Sequence, residues 1–80
     1  MQMLADITTG DFDAFKSSFD ADAEKRMAAG LTLMQMWRVA DDAQRVVCLF
    51  DVNDRKRAQD WLTTEQQTGV KITGRFLKTA

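Results

Sequence analysis

The chain has 80 residues, enough for one domain whose core is small: it buries about 60–65% of the surface its unfolded form exposes. Domains of this size lean on a disulfide, a metal or a partner chain; one cysteine excludes an intrachain disulfide, and that cysteine with no histidine argues against a structural zinc site. Eleven basic and twelve acidic residues give a net charge of −1, which offers nucleic acid or an anionic membrane no electrostatic footing.

Self-association is the remaining device, and a hydrophobic content of 45% leaves apolar surface for it. The opening MQMLADITTGDFD has no basic region followed by an apolar run, and no apolar stretch approaches the roughly 20 residues that span a bilayer. A lone thiol fits a reducing compartment. The expectation is a soluble cytoplasmic protein with no nucleic-acid or membrane partner.

Proline is absent, so glycine marks the breaks. Met1 to Thr8 alternates Met1, Met3, Ala5 and Ile7 against Leu4 and predicts a strand. In TTGDFDAFKSSFDADAEKRMAAG, Phe12, Phe15, Phe19, Ala23 and Met27 recur at spacings of three and four. They predict one helix with a stripe roughly 120° wide, capped by Asp11, with Lys25 and Arg26 complementing its negative end. Gly30 supplies the left-handed position after it.

LTLMQMWRV, residues 31–39, predicts the second strand, ADDAQ a hairpin connection and RVVCLFDV, residues 45–52, the third strand. Residues 53–68 predict a second helix with Asn53 as cap and Ala58, Trp61 and Leu62 inward. Gly69 ends it, and VKITGRFLK, residues 70–78, closes the chain as a strand. The order β-α-β-β-α-β predicts an α+β, ferredoxin-like domain: a four-stranded antiparallel sheet with both helices on one face.

The other face carries the functional expectation. A sheet wet on one side alternates apolar and polar residues, yet strands two and three are apolar at both parities. Leu31, Leu33, Trp37 and Val39 oppose Met34 and Met36; Val46, Cys48, Phe50 and Val52 oppose Val47 and Leu49. At about 1.5–3 kcal/mol for each large side chain fully buried, four such residues drive association, so a second copy covers the bare face. Trp37 is expected to face the helices, and Met34, Met36, Val47 and Leu49 to form the dimer interface, the alternative being the reverse, with their opposite-parity neighbours on the partner.

DFDAFKSSFDADAEKRMAAG followed by MQMWRVADDAQRVVCLFDVNDRKRAQDWL resembles small bacterial members of the dimeric α+β barrel superfamily, which includes antibiotic-biosynthesis-monooxygenase-like proteins. The resemblance covers nearly the whole chain by pattern. It implies two sheets packed face to face into a barrel, with any ligand held in each subunit between sheet and helices.

With no histidine there is no Ser-His-Asp or Cys-His system and no histidine ligand for haem, so the histidine-dependent branches of the superfamily do not carry over. No cofactor is expected. Cofactor-free monooxygenases of similar fold use polar groups with tryptophan, and Trp37 or Trp61 is the candidate counterpart. Trp37 and Trp61 are also hydrophobic enough to be core. Arg38 and Arg75 could grip a carboxylate or sit at a solvated rim, and Arg75 joins the two tryptophans as a ligand-binding candidate. Cys48 lies on an apolar parity that suits an inert thiol. DVNDRK lacks the glycine of a calcium loop, and Glu24 and Glu65 read as isolated carboxylates. The reading is a homodimer binding a small apolar or aromatic ligand, set against a monooxygenase- or isomerase-type enzyme and a pocketless interaction protein.

Overall fold

The computed structural model describes residues 1–80 and contains β1 (Gln2–Thr8), α1 (Phe12–Ala21), α2 (Ala23–Ala28), β2 (Leu31–Arg38), β3 (Arg45–Val52), α3 (Arg55–Gln67) and β4 (Lys71–Leu77). The strands form one antiparallel sheet in the order β2-β3-β1-β4, the α+β ferredoxin-like arrangement expected from the element order. No helix is long and apolar enough to cross a membrane.

The core lies between the helices and one sheet face. Met3, Ala5 and Ile7 of β1 pair with Phe50, Cys48 and Val46 of β3, and all six are buried. Ile72 of β4 and Phe19, Ala58 and Leu62 of the helices close over them. Phe50 is the hinge of an aromatic chain, 6.3 Å from the Phe19 ring and 5.9 Å edge-on to Trp61.

The single helix expected over residues 11–29 divides at Asp22. Asp11 caps its start, accepting from the Ala14 N–H at 3.1 Å. At Asp22 the N–H is shared between the carbonyls of Ser18 and Phe19, both at 3.2 Å, and α2 begins on the next residue. The inward stripe past this break runs through Arg26 and Ala29, leaving Met27 73% exposed and Ala23 exposed. Gly30, at φ +73°, turns the chain into β2, and its carbonyl accepts from the Asn53 N–H at 2.8 Å. Asn53 therefore braces the preceding turn, and the cap of α3 is Asp54, which accepts from the Arg57 N–H at 3.1 Å.

The strand LTLMQMWR does not keep one parity. Leu33 pairs with Phe50, but the next pair is Gln35 with Leu49, so Met34 is an unpaired extra residue. A one-residue insertion exchanges the two faces for everything after it. Met36, opposite Cys48, packs on the helix side, and Arg38 follows, its guanidinium 4.2 Å from the Phe12 ring centroid. Trp37 pairs with Val47 on the opposite face and is 45% exposed. This reverses the expectation that Trp37 faces the helices and Met36 faces away.

The helix-free face consequently has an apolar centre made by Leu4, Val47, Leu49 and Trp37. Around it lie Gln35, Thr73, Arg75 and the Arg45–Asp6 ion pair. The chain exposes 5444 Å², against about 4,900 Å² for a folded monomer of this mass.

Candidate functional site

Between the helices and the sheet, a cavity of about 110 Å³ opens where Phe15, Phe19, Trp61, Ile7, Val70 and Ile72 leave a gap. Its apolar walls come from β1 and β4 below, α1 on one side and α3 on the other. Four polar residues complete it: Ser18, Asp22, Arg26 and Glu65.

Arg26 is the one buried charged residue of the chain, at 7% exposure. It lies flat on Phe19, its guanidinium carbon 3.5 Å from the ring centroid, and donates through Nη1 to the Phe19 carbonyl at 2.5 Å. That carbonyl lies in the last turn of α1, so the cation also meets the negative end of a helix. Burial lowers the Arg26 pKa while Asp22 works against the shift; a guanidinium has so high a starting value that it stays charged. Neither Glu65 nor Asp22 forms an ion pair with it, and Asp22 instead pairs with Lys25 at 3.7 Å.

On the facing helix, Glu65 is half-buried, and loss of solvent pushes its carboxyl above the usual carboxylate range, with Asp22 adding to the shift and Lys25 and Arg26 opposing it. One helical turn away, Trp61 presents a buried indole Nε1–H that has no acceptor in the protein. Buried polar atoms are almost always paired, so this donor stands out. The cavity is thus lined by a guanidinium with N–H groups to spare and a half-desolvated carboxyl, set in aromatic and aliphatic walls.

In size the cavity is closer to an engineered 150 Å³ void that admits benzene than to the roughly 300–1,000 Å³ of drug-sized sites. A shallower cleft of about 530 Å³ adjoins it, sharing Ile7, Phe15, Ser18 and Val70 and opening past Thr9, Gln44 and Lys71. The cleft gives the cavity a mouth at the end of the sheet where β1 finishes and β4 starts.

Of the ligand-binding candidates read from the sequence, Trp61 lines the cavity, whereas Trp37 and Arg75 lie on the opposite face of the sheet. The structure therefore does not assemble the three. Of the interface candidates, Val47 and Leu49 lie on the helix-free face, Met34 is exposed at the bulge and Met36 packs under the helices. Cys48 is fully buried, which pushes its thiol up to about 11 and leaves it inert near neutral pH.

By type Arg26 reads as a charge at the negative end of a helix and Glu65 as an isolated carboxylate, but spacing marks the first of them as a site residue. Phe12, Phe15 and Phe19 continue by alternate steps of three and four to Asp22, Arg26 and Ala29, so Arg26 falls on the apolar stripe itself. A charge at such a position is a signal. Glu65, four residues after Trp61 on α3, shares its face. No family model matches the chain, and no curated protein or solved structure does either.

Proposed function

We propose that the protein is a homodimer that binds a small, largely apolar molecule between its sheet and helices. The observation that carries ligand binding is Arg26, buried with N–H groups to spare in the lining of a cavity that it shares with Glu65. A buried donor left without a partner costs about 1–3 kcal/mol, and a ligand acceptor removes that penalty. Aromatic walls from Phe15, Phe19 and Trp61 supply the apolar part of the contact.

Self-association is supported by the apolar centre of the helix-free face and by an accessible surface larger than a monomer of 9.1 kDa needs. The resemblance to dimeric α+β barrels points the same way, as does the marginal core of so short a chain. In this reading the protein is soluble and cytoplasmic, its buried thiol kept reduced.

A second reading, a cofactor-free enzyme that moves a proton, is favoured by Glu65: a carboxyl raised by desolvation across the cavity from the Arg26 N–H groups has the makings of a general base facing an oxyanion site. Binding is nonetheless the common requirement of both readings. A ¹⁵N-labelled sample titrated with a library of fragments of four to seven heavy atoms tests it. Binding in the cavity moves the Trp61 indole resonance and the amides of Ser18, Phe19 and Glu65 together; a library that leaves all of them unmoved defeats the proposal.

A further inference from the structure

The polar lining of the cavity is asymmetric, and the asymmetry selects a ligand class. The donor is Arg26, which spends Nη1 on the Phe19 carbonyl and keeps further N–H groups. The acceptor is Glu65, which makes no ion pair with the guanidinium although both line the same small space.

A charged ligand fits this lining poorly. One guanidinium and two carboxyls, from Asp22 and Glu65, sum to −1 when both acids are ionised and to zero when Glu65 is protonated. An anion gains Arg26 but meets Glu65 in a space too small to separate them, and like charges a few ångströms apart in a partly dry site repel strongly. A cation gains Glu65 but is desolvated beside Arg26. A purely apolar molecule fills the volume yet leaves the spare Arg26 N–H groups and the Glu65 carboxyl without partners. A neutral group carrying an acceptor and a donor side by side satisfies both sides without adding charge.

We infer that the cavity takes a small neutral molecule whose carbonyl oxygen accepts from Arg26 and whose adjacent N–H or O–H donates to Glu65, a primary carboxamide with a short apolar tail being the simplest case. The inference rests on the cavity being a ligand site, as proposed above. Scaling from the six carbons of benzene in a 150 Å³ void, about 110 Å³ admits about four to five non-hydrogen atoms. Longer tails extend into the adjoining cleft, whose rim is polar at Thr9, Gln44 and Lys71.

Four probes of five or fewer non-hydrogen atoms separate the classes by NMR titration of the intact chain: propionamide, propionate, propylammonium and butanone, the last an acceptor with no adjacent donor. Propionamide is expected to shift the Trp61 indole resonance and to bind at least tenfold more tightly than the other three. Glu65→Leu, with its fold checked by the same spectrum, should abolish the advantage of propionamide over butanone while leaving butanone binding within twofold. Equal or tighter binding of propionate, propylammonium or butanone to the unaltered chain overturns the inference and leaves the ligand site standing. An unchanged propionamide preference in Glu65→Leu also overturns it. Silence of the Trp61 resonance towards all four probes defeats the parent reading and the inference with it.

Discussion

Replacing Leu49 by lysine is the sharpest perturbation of the helix-free face. Leu49 lies between Gln35 on β2 and Leu4 on β1, with Arg75 beyond, at the middle of the four-stranded face. Strands about 4.8 Å apart and seven residues rising about 3.3 Å each make that face about 19 × 23 Å, or about 900 Å² in projection for two copies. With side-chain relief this reaches the lower end of the roughly 1,200–2,000 Å² of specific interfaces. The contact is therefore expected to be of micromolar strength, about −8 kcal/mol. A lysine at position 49 leaves a buried unpaired ammonium on each copy, at about 2–5 kcal/mol apiece. The sum, about 4–10 kcal/mol, weakens the dimer by about three to seven orders of magnitude.

Sedimentation equilibrium or light scattering after size exclusion, between about 1 and 500 μM, reads this directly. The unaltered chain should shift from monomer to dimer across that range, and Leu49→Lys should stay monomeric with circular dichroism unchanged. Met36→Lys is the contrasting variant. Its side chain packs against the helix-side core opposite Cys48, so the charge should unfold the monomer rather than dissociate a dimer. A monomer throughout for the unaltered chain, or a dimer retained by Leu49→Lys, refutes the reasoning.

Gly30→Ala should cost about 1–3 kcal/mol, because alanine is strained at φ +73° and its Cβ would lie 3.1 Å from the Asp54 nitrogen; for a domain this small the melting temperature falls by about 5–20 °C. Cys48 should ignore a disulfide reagent at pH 8 in the native state and react at once in 6 M guanidinium, since burial holds its thiol near 11; rapid native reaction would contradict the packing described. Glu65 has a folded-state pKa raised above its unfolded value, so the folded form holds its proton more tightly and stability declines as pH rises through that value. Glu65→Gln should accordingly melt higher than the unaltered chain at pH 7 and match it near pH 4, in thermal scans at fixed ionic strength.

The element order was legible because most elements carry a pattern and a stop: alternation in β1, a continuous apolar run in β3, the phenylalanine stripe in α1, and glycine at positions 30 and 69 where φ is positive. What misled was phase. Met34 is an ordinary strand residue by type, and nothing in LTLMQMWRV marks it as the extra residue of a bulge; yet that insertion decides which face receives Trp37. β3 was legible at both parities because it has no bulge, so Val46, Cys48 and Phe50 remain inside and Val47 and Leu49 outside along its whole length.

The same question of phase explains Arg26 and links the fold to the site. A stripe counted as Phe12, Phe15, Phe19, Ala23 and Met27 is apolar and bland, whereas the stripe that the structure buries continues from Phe19 through Arg26 and Ala29. Replacing a buried charge by an apolar side chain of similar volume is often neutral or stabilising, so folding alone does not call for an arginine there. Arg26 keeps donor capacity beyond its bond to the Phe19 carbonyl, and that spare capacity lies in the same space as Glu65, which lacks an ion-pair partner. Two incompletely matched polar groups around one apolar gap are a cost to the apo fold, and they become complementary when a molecule of the right pattern fills it. Arg26→Met should therefore leave the melting temperature equal or higher while weakening propionamide at least tenfold. A variant that instead unfolds would return Arg26 to the core as a structural residue.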